Sequence, residues 1–245
     1  MPLVNLLVTE AGGYLHNTIH ESHTTCVMCR TPVAGWDRCW ACNERRKTHG
    51  ADLADRVGLL TYAIEGSQSA HTMHRYKDNP AQNAPLRVVQ LLAATALMLH
   101  NDCLTSVAGA PLTSWAVVPS LRGRSGTHPL RNIVAPFING TELQVTAGTA
   151  TGSRTTDPSL FRVGPIKPRS HVLIIDDTWA SGAHAQSLAL TMRAAGATRI
   201  SALILARWLR PGFAQNKQFI SDRLTSRYDP RLCPWTAIGT CPTAT

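Results

Sequence analysis

Residues 172–184, VLIIDDTWASGAH, constrain the fold of this chain more than any other stretch. The first four of them are branched and apolar, a composition typical of a strand that is buried on both faces of a parallel sheet. Two adjacent carboxylates follow, Asp176 and Asp177. From Gly182 the apolar residues recur at helical spacing as far as Gly196, which predicts a helix that ends there. A turn of this kind points unpaired backbone N–H groups outward at the carboxyl end of a sheet, where a phosphate binds well.

Strand-like and helix-like segments alternate along most of the chain. Predicted strands lie at 57–64, 115–118, 142–146, 172–175 and 200–206, and predicted helices at 43–56, 86–100, 129–138, 182–195 and 213–225. This alternation predicts an α/β fold with a mostly parallel sheet flanked by helices. The segment 147–170 is rich in Gly, Thr, Ser and Pro, and we predict a long loop that closes over a site as a lid. We expect an N-terminal segment with a zinc-binding module at 1–50, the α/β domain at 51–210 and a basic C-terminal extension at 211–245.

Four of the seven cysteines form two pairs near the start of the chain. Two residues separate Cys26 from Cys29 and Cys39 from Cys42, and nine residues separate the pairs. Two such pairs supply four thiolates for a closed tetrahedral zinc site, whose role is structural because no position stays open for water. Two disulfides are one alternative, which would fit a secreted chain. A redox-active pair is the other, which would fit a thioredoxin-like context. Four thiolates imply a reducing compartment, and we expect the protein to be cytoplasmic.

Motifs and charge narrow the functional class. No GxxxxGK[ST] motif is present, so a Walker-type nucleotide site is unsupported. No run of apolar residues approaches the length needed to cross a membrane, so we expect no membrane partner, and the apolar start at 3–8 lacks the basic leader of a signal peptide. The net charge of +9 suits a polyanionic substrate or nucleic acid. Basic residues collect at 193–231, where a solvated face is the alternative explanation.

The acid pair indicates the class of ligand. Asp176 and Asp177 only accept hydrogen bonds when ionised, and two acceptors beside a phosphate-binding turn suit the neighbouring hydroxyls of a ribose 5-phosphate. An acid pair at the end of a buried strand also occurs in receiver-type domains and in simple helix capping, which remain alternatives.

Two further segments are predicted to line the same crevice. The strand at 115–118 is followed by a loop with two arginines and two glycines. Glycine permits close approach of the backbone, and guanidinium binds phosphate in a forked geometry, so this loop suits a pyrophosphate. A Tyr-Lys element follows the first predicted strand. An ordinary solvated surface is the alternative for both segments. The predicted pyrophosphate-binding residues are Ser120, Arg122, Gly123, Arg124, Tyr76 and Lys77.

The acid-pair turn resembles the signature of type I phosphoribosyltransferases, in which two acids follow an apolar strand and precede a phosphate-binding loop. The resemblance implies that Asp176 and Asp177 are catalytic residues that hold the 2- and 3-hydroxyls of phosphoribosyl pyrophosphate (PRPP), with Mg²⁺ bound to the same ligand. Ala180 and His184 stand where hydroxyl side chains are usual in that family. The loop implied to hold the 5-phosphate comprises Thr178, Trp179, Ala180, Ser181, Gly182, Ala183 and His184.

The order of parts over about residues 26–206 resembles ComF-type proteins, although the Asn and Gln of their arginine loop are absent from 122–129. This resemblance implies transfer of the phosphoribosyl group of PRPP to a nitrogen acceptor, with release of pyrophosphate. A non-catalytic PRPP- or nucleotide-binding regulator is one alternative. An accessory protein of DNA uptake that binds single-stranded DNA is another. The sequence does not identify the acceptor or the oligomeric state, and a homo-oligomer is possible. Cys233 and Cys241 can pair with each other, bind a metal or do neither.

Overall fold

A five-stranded sheet lies at the centre of the fold, and its strands run parallel. The structure, a computed structural model, describes residues 2–78, 80–121, 128–149 and 154–242. The described strands are β1 (Arg56–Ile64), β2 (Ser114–Val117), β3 (Thr141–Glu142), β4 (Val145–Ala147), β5 (Phe161–Val163), β6 (His171–Trp179) and β7 (Arg199–Leu209). The order across the sheet is β1-β7-β6-β2-β3, whereas β4 and β5 form a separate antiparallel pair.

Helices cover both faces of this sheet. The described helices are α1 (Pro2–Ala11), α2 (Trp40–His49), α3 (Gln68–Arg75), α4 (Asn83–Ala108), α5 (Pro129–Val134), α6 (Ala183–Ala194) and α7 (Asn216–Arg223). On one face, α1, α3, α4 and α5 enclose a core that includes Leu173 and Ile175 of β6. On the other face, α6 and the cysteine module pack against Val172 and Ile174. Burial on both faces explains the continuous apolar run. The predicted fold class is therefore confirmed: a mostly parallel sheet flanked by helices, with an N-terminal four-cysteine module.

β6 is longer than its apolar run predicts. Asp176, Thr178 and Trp179 all pair with β7, so the strand continues to Trp179. The Trp179 side chain is only 1% exposed, and burying so large an apolar surface favours the extension. The phosphate loop predicted to start at Thr178 is therefore shorter, and Ala180–Gly182 alone connects the strand to α6.

The predicted lid at 147–170 is only partly a loop. β4 and β5 pair across it, and Leu160 and Phe161 are buried against the α6 side of the core. The hydroxyl of Thr191 on α6 also donates to the carbonyl of Pro158 at 2.8 Å. Leu160 and Phe161 thus anchor a segment whose composition otherwise favours a loop. Residues 150–153 of the predicted lid lie outside the described part of the chain.

The expectation that no apolar segment reaches membrane-spanning length needs correction. Among the described residues, α4 is long and apolar enough to cross a membrane by length and composition alone. More than half of its apolar window is buried, however, by the other elements of the fold. A core helix meets the same criterion, so the length of α4 is explained by its packing.

Residues after β7 return to the core. The side chain of Tyr228 is buried with α1 and α4, and the ring of Trp235 lies over Gly58 of β1, where it would be 2.9 Å from an added Cβ. Several basic residues at 193–231 are engaged within the fold: Arg193 contacts Asp55 at 2.9 Å, and Arg207 is buried.

Candidate functional site

The carboxyl ends of β2 and β6 meet where the connections of the sheet change direction. β6 leads through α6 to β7 on one side, whereas β2 leads through α5 to β3 on the other. In open α/β sheets, such a switch point leaves a crevice outside the strand ends, which is the usual ligand site. The acid pair lies at the end of β6 and therefore borders this crevice.

Three polar side chains converge on one oxygen of Asp177. The Tyr76 hydroxyl donates to Oδ2 at 2.6 Å, and the ammonium group of Lys77 donates to it at 2.6 Å. Nε2 of His128 lies 3.7 Å from the same oxygen. His128 is the N-cap of α5, and its Nδ1 accepts the N–H of Leu130 at 3.2 Å. Since Nδ1 is an acceptor, the neutral ring carries its proton on Nε2, which faces the carboxylate.

The two acids of the pair are electrostatically different. Burial alone would raise the pKa of Asp177, but the charge and hydrogen bond of Lys77, with the hydroxyl of Tyr76, hold it below its ordinary value. Burial, and then the negative charge of Asp177, raise the pKa of Asp176 well above its ordinary value. Asp176 is half-buried, and its Oδ1 accepts the backbone N–H of Asp177 at 2.9 Å. The negative charge of the pair is thus better stabilised on Asp177, and an added cation beside Asp176 would lower the raised pKa of that carboxyl.

The loop after β6 is shaped by a glycine over a tryptophan ring. Gly182 has φ +79°, and a Cβ added there would lie 2.1 Å from atoms of the Trp179 ring. Both the left-handed backbone and the close ring require glycine at this position. The turn delivers the chain directly into α6, whose first-turn N–H groups begin at Ala183 at the same edge of the sheet as the acid pair.

A buried arginine links this loop to the cysteine module. The guanidinium group of Arg207, a residue 8% exposed, donates to the carbonyls of Trp179 at 2.5 Å and Ala180 at 2.6 Å. Its Nε donates to the hydroxyl of Thr31 at 2.8 Å. Because one forked group contacts both segments, the loop and the module are held in a fixed relation.

The four N-terminal cysteines form a cluster that can hold a metal ion. The Sγ atoms of Cys26, Cys29, Cys39 and Cys42 all lie within 4.8 Å of one another. These cysteines are free thiols. The N–H of Cys26 donates to the carbonyl of Thr31 at 2.8 Å, and the N–H of Val27 donates to the backbone carbonyl of Asp37 at 2.9 Å, so backbone hydrogen bonds hold the first pair in place.

The charges around this cluster fit a divalent ion. Four thiolates with one divalent ion carry two net negative charges. Two buried arginines, Arg30 and Arg207, lie beside them. Two guanidinium groups would be costly to bury without such a partner, so the donor set and its surroundings fit the predicted metal.

The structure brings several predicted site residues together and leaves others apart. Tyr76, Lys77, Asp176 and Asp177 form one cluster, with the loop and the start of α6 at the same edge. Thr178 and Trp179 belong to β6, and Ala183 and His184 to α6. Ser120 follows β2 and is exposed. The predicted residues Arg122, Gly123 and Arg124 lie outside the described part of the chain.

Sequence reasoning missed two residues of this site. His128 directly precedes Pro129, and a polar residue before a proline at the first helical position is a recognisable N-cap pattern. Arg207 is a charged residue inside the largely apolar strand β7, whose other arginine, Arg199, is at its exposed first position. A charge at such an interior position is itself a signal that a buried acceptor lies nearby.

Comparisons with known proteins add little. No family model and no curated protein matches the sequence, so the ComF resemblance rests on the residues given above. One similar solved structure is the hypoxanthine-guanine phosphoribosyltransferase of L. donovani, with 17% identity over 49% of this chain and 71% of that chain, at a TM-score of 0.34. Another is the purine phosphoribosyltransferase of Pyrococcus horikoshii, with 16% identity over 49% of this chain and 89% of that chain, at a TM-score of 0.28. Likenesses this slight support no inference about the chain.

Proposed function

We propose that this chain binds PRPP with magnesium in the crevice at the ends of β2 and β6 and transfers its phosphoribosyl group to a nitrogen acceptor. The observation that carries the proposal is the acid pair at the switch point, which adjoins the first turn of a helix and has Lys77 on one of its carboxylates. Adjacent carboxylates suit the two ribose hydroxyls, and helix N–H groups suit the 5-phosphate. This combination matches a ribose 5-phosphate better than a free nucleobase or a peptide.

Each group then has a definable role. Asp176 and Asp177 accept hydrogen bonds from the ribose hydroxyls and stabilise positive charge that develops on the ring. The C1–O bond to pyrophosphate breaks, with its electron pair leaving on pyrophosphate, as the acceptor nitrogen forms a bond to C1 and loses a proton. Lys77 can exchange its contact with Asp177 for one with the departing pyrophosphate, which would bring a compensating positive charge to the leaving group.

Two metals belong to the proposal. The half-buried carboxylate of Asp176 offers the oxygen ligands that Mg²⁺ prefers, and magnesium would neutralise part of the pyrophosphate charge when bound. Zn²⁺ is the ion that best suits four thiolates in the N-terminal cluster, where it would fix the module against Arg207. A zinc site of four thiolates requires a reducing compartment, so the proposal includes a cytoplasmic location.

A non-catalytic PRPP- or nucleotide-binding protein is the second candidate. Asp177 is 5% exposed and is already bound by Tyr76 and Lys77, so a ligand has to displace existing contacts to reach it. Ala180 and His184 also lack the hydroxyls that would add phosphate contacts. The missing hydroxyls are the feature that favours binding without efficient turnover.

Pyrophosphate release separates the two candidates. The full-length protein with PRPP and magnesium should release pyrophosphate when given a panel of nitrogen acceptors that includes ammonia, nucleobases and aromatic amines. Asp176→Asn is the matched variant, because an amide oxygen can still accept the Asp177 N–H. Acceptor-dependent release that is lost in this variant supports transfer. PRPP binding without release for any acceptor supports the non-catalytic candidate.

A further inference from the structure

Helix α4 and the C-terminal segment bring together one histidine and three cysteines. His100 and Cys103 are one turn apart on α4, so their side chains lie on the same face of the helix. Cys233 and Cys241 approach this face from the segment after α7. The ligand atoms of the four residues all lie within 4.8 Å of one another, and the three cysteines are free thiols.

The spacing of these atoms fits a tetrahedral metal site. With Zn–S near 2.3 Å and Zn–N near 2.0 Å, the donor atoms around one ion lie about 3.5–3.8 Å apart. Nδ1 of His100 is 3.4 Å from Sγ of Cys241 and 3.9 Å from Sγ of Cys103, so the observed distances bracket that range. A disulfide would instead bring two sulfur atoms to about 2.0 Å and give the histidine no role.

A hydrogen bond outside the cluster orients the histidine as a metal ligand. Nε2 of His100 lies 3.0 Å from the carbonyl oxygen of Pro230. A carbonyl only accepts, so Nε2 carries the proton, and the lone pair of Nδ1 faces the three sulfur atoms. Metal-bound histidines regularly donate their second N–H to such a partner, which fixes the tautomer and the ring plane. Pro230 belongs to the same C-terminal segment, so one segment supplies both the orienting group and two of the sulfur atoms.

The C-terminal segment is folded to present its two cysteines. The N–H of Cys233 donates to the carbonyl of Gly239 at 2.6 Å, which closes a turn and returns the chain so that Cys241 lies beside Cys233. Gly239 has φ +74°, a left-handed conformation that glycine adopts without strain. His100, Cys103 and Cys233 are buried, whereas Cys241 is exposed and closes the outer side of the cluster.

We propose that His100, Cys103, Cys233 and Cys241 form a second, structural zinc site that fastens the C-terminal segment to α4. The donor set, three sulfur atoms and one nitrogen, is one of the common sets of closed zinc sites. Binding converts the thiols to thiolates with release of their protons and involves no change of oxidation state. This inference does not depend on the PRPP site.

The site would also hold one wall of a cavity beside α4. The cavity has a volume of about 450 Å³ and is lined by residues of the C-terminal segment, by residues near β1 and by α4. His100 and Cys233 are both among its lining residues. Loss of the metal is therefore expected to free this wall and expose the segment to protease.

Zinc content of the full-length protein tests the proposal. Elemental analysis of the intact protein should give two zinc ions per chain, and Cys103→Ser/Cys241→Ser should lower the content to one. The matched control Cys39→Ser/Cys42→Ser removes ligands of the other cluster and should also retain one ion. One zinc ion in the intact protein, unchanged by Cys103→Ser/Cys241→Ser, would overturn the second site.

A measurement on the unsubstituted protein covers the case in which a variant fails to fold. Cys241 is exposed, so an alkylating reagent should modify it readily unless a metal holds its sulfur. We expect protection of Cys103, Cys233 and Cys241 in the zinc-loaded protein and loss of that protection after a chelator is added. Equal alkylation of Cys241 before and after chelation, or a disulfide between any two of these cysteines, would contradict the proposal.

Discussion

The ammonium nitrogen of Lys77 lies 2.6 Å from Oδ2 of Asp177, a carboxylate held at the end of a central strand. The pair joins the segment after α3 to β6, and the hydroxyl of Tyr76 donates to the same oxygen. A ligand with hydroxyl and pyrophosphate groups could engage both members at once. The contact stabilises the fold, and in the proposed function it is also the contact that the bound ligand exchanges.

Removal of the Lys77 charge should destabilise the fold in a pH-dependent way. Lys77→Met leaves the Asp177 carboxylate buried without its cation, so we expect a loss of roughly 3 kcal/mol in the free energy of unfolding near neutral pH. Because the folded pKa of Asp177 is lowered, the stabilisation is present above the ordinary carboxyl pKa and is lost as pH falls through the folded value. Urea titrations across acid pH measure the effect, and the difference from the parent should shrink toward low pH.

The exposed Lys217 on α7 gives the matched control for that experiment. Lys217→Met should change the unfolding free energy by less than about 0.5 kcal/mol at any pH. Equal losses in the two variants would show that the contact of Lys77 with Asp177 contributes nothing specific.

Substitution of two glycines with nearly the same backbone conformation can distinguish the cost of backbone strain from the cost of a steric clash with a neighbouring side chain. Gly182 has φ +79° and Gly66 has φ +83°, but an added Cβ meets the Trp179 ring only at Gly182. Gly66→Ala should cost about 1–2 kcal/mol through the left-handed backbone alone. Gly182→Ala should cost more and should also weaken PRPP binding, because the ring or the loop has to move. Thermal melts of both variants measure the difference, and equal losses would mean that the ring contact is not restrictive.

Arg207 should be sensitive even to a change that keeps its charge. Arg207→Lys cannot reach Thr31 and the two loop carbonyls together, so we expect a loss of roughly 2 kcal/mol and faster amide exchange in 179–182. Arg199→Lys, at the exposed start of the same strand, is the control and should leave both quantities unchanged. Unaltered exchange in 179–182 of the Arg207 variant would refute the proposed link between the cysteine module and the loop.

Binding of PRPP should depend on pH through Asp176. The pKa of this carboxyl is raised, so it stays protonated to a higher pH than an ordinary aspartate, and while protonated it lacks its negative charge and one of its oxygens donates instead of accepting. Affinity for PRPP with magnesium should therefore rise as pH is raised from acid through the raised pKa of Asp176, as calorimetric titrations at a series of pH values would measure. In Asp176→Asn this part of the pH dependence should disappear. A parent protein whose affinity falls over that series of pH values would contradict the assignment.

Local sequence pattern predicted the parallel sheet and the four-cysteine cluster well, because each is encoded within short stretches. The role of the acid pair stays a prediction. The bounds of β6 were missed because the burial of Trp179 and pairing with β7 extend the strand beyond its apolar run. His128 and Arg207 act through contacts with residues distant in the chain. The partners of Cys233 and Cys241 were missed for the same reason, since His100 and Cys103 lie about 130 residues earlier in the chain. The apolar pattern of α4 predicts which of its residues are buried, but not which distant residues they contact.

Calorimetric titration of the zinc-loaded protein with PRPP, with and without magnesium, tests the central claim most directly. We predict magnesium-dependent binding that is lost or strongly weakened in Asp176→Asn, while the melting temperature of that variant stays close to that of the parent. Absence of PRPP binding by the intact protein, or binding that Asp176→Asn leaves unchanged, would contradict the assignment of the acid pair to a ribose-phosphate site.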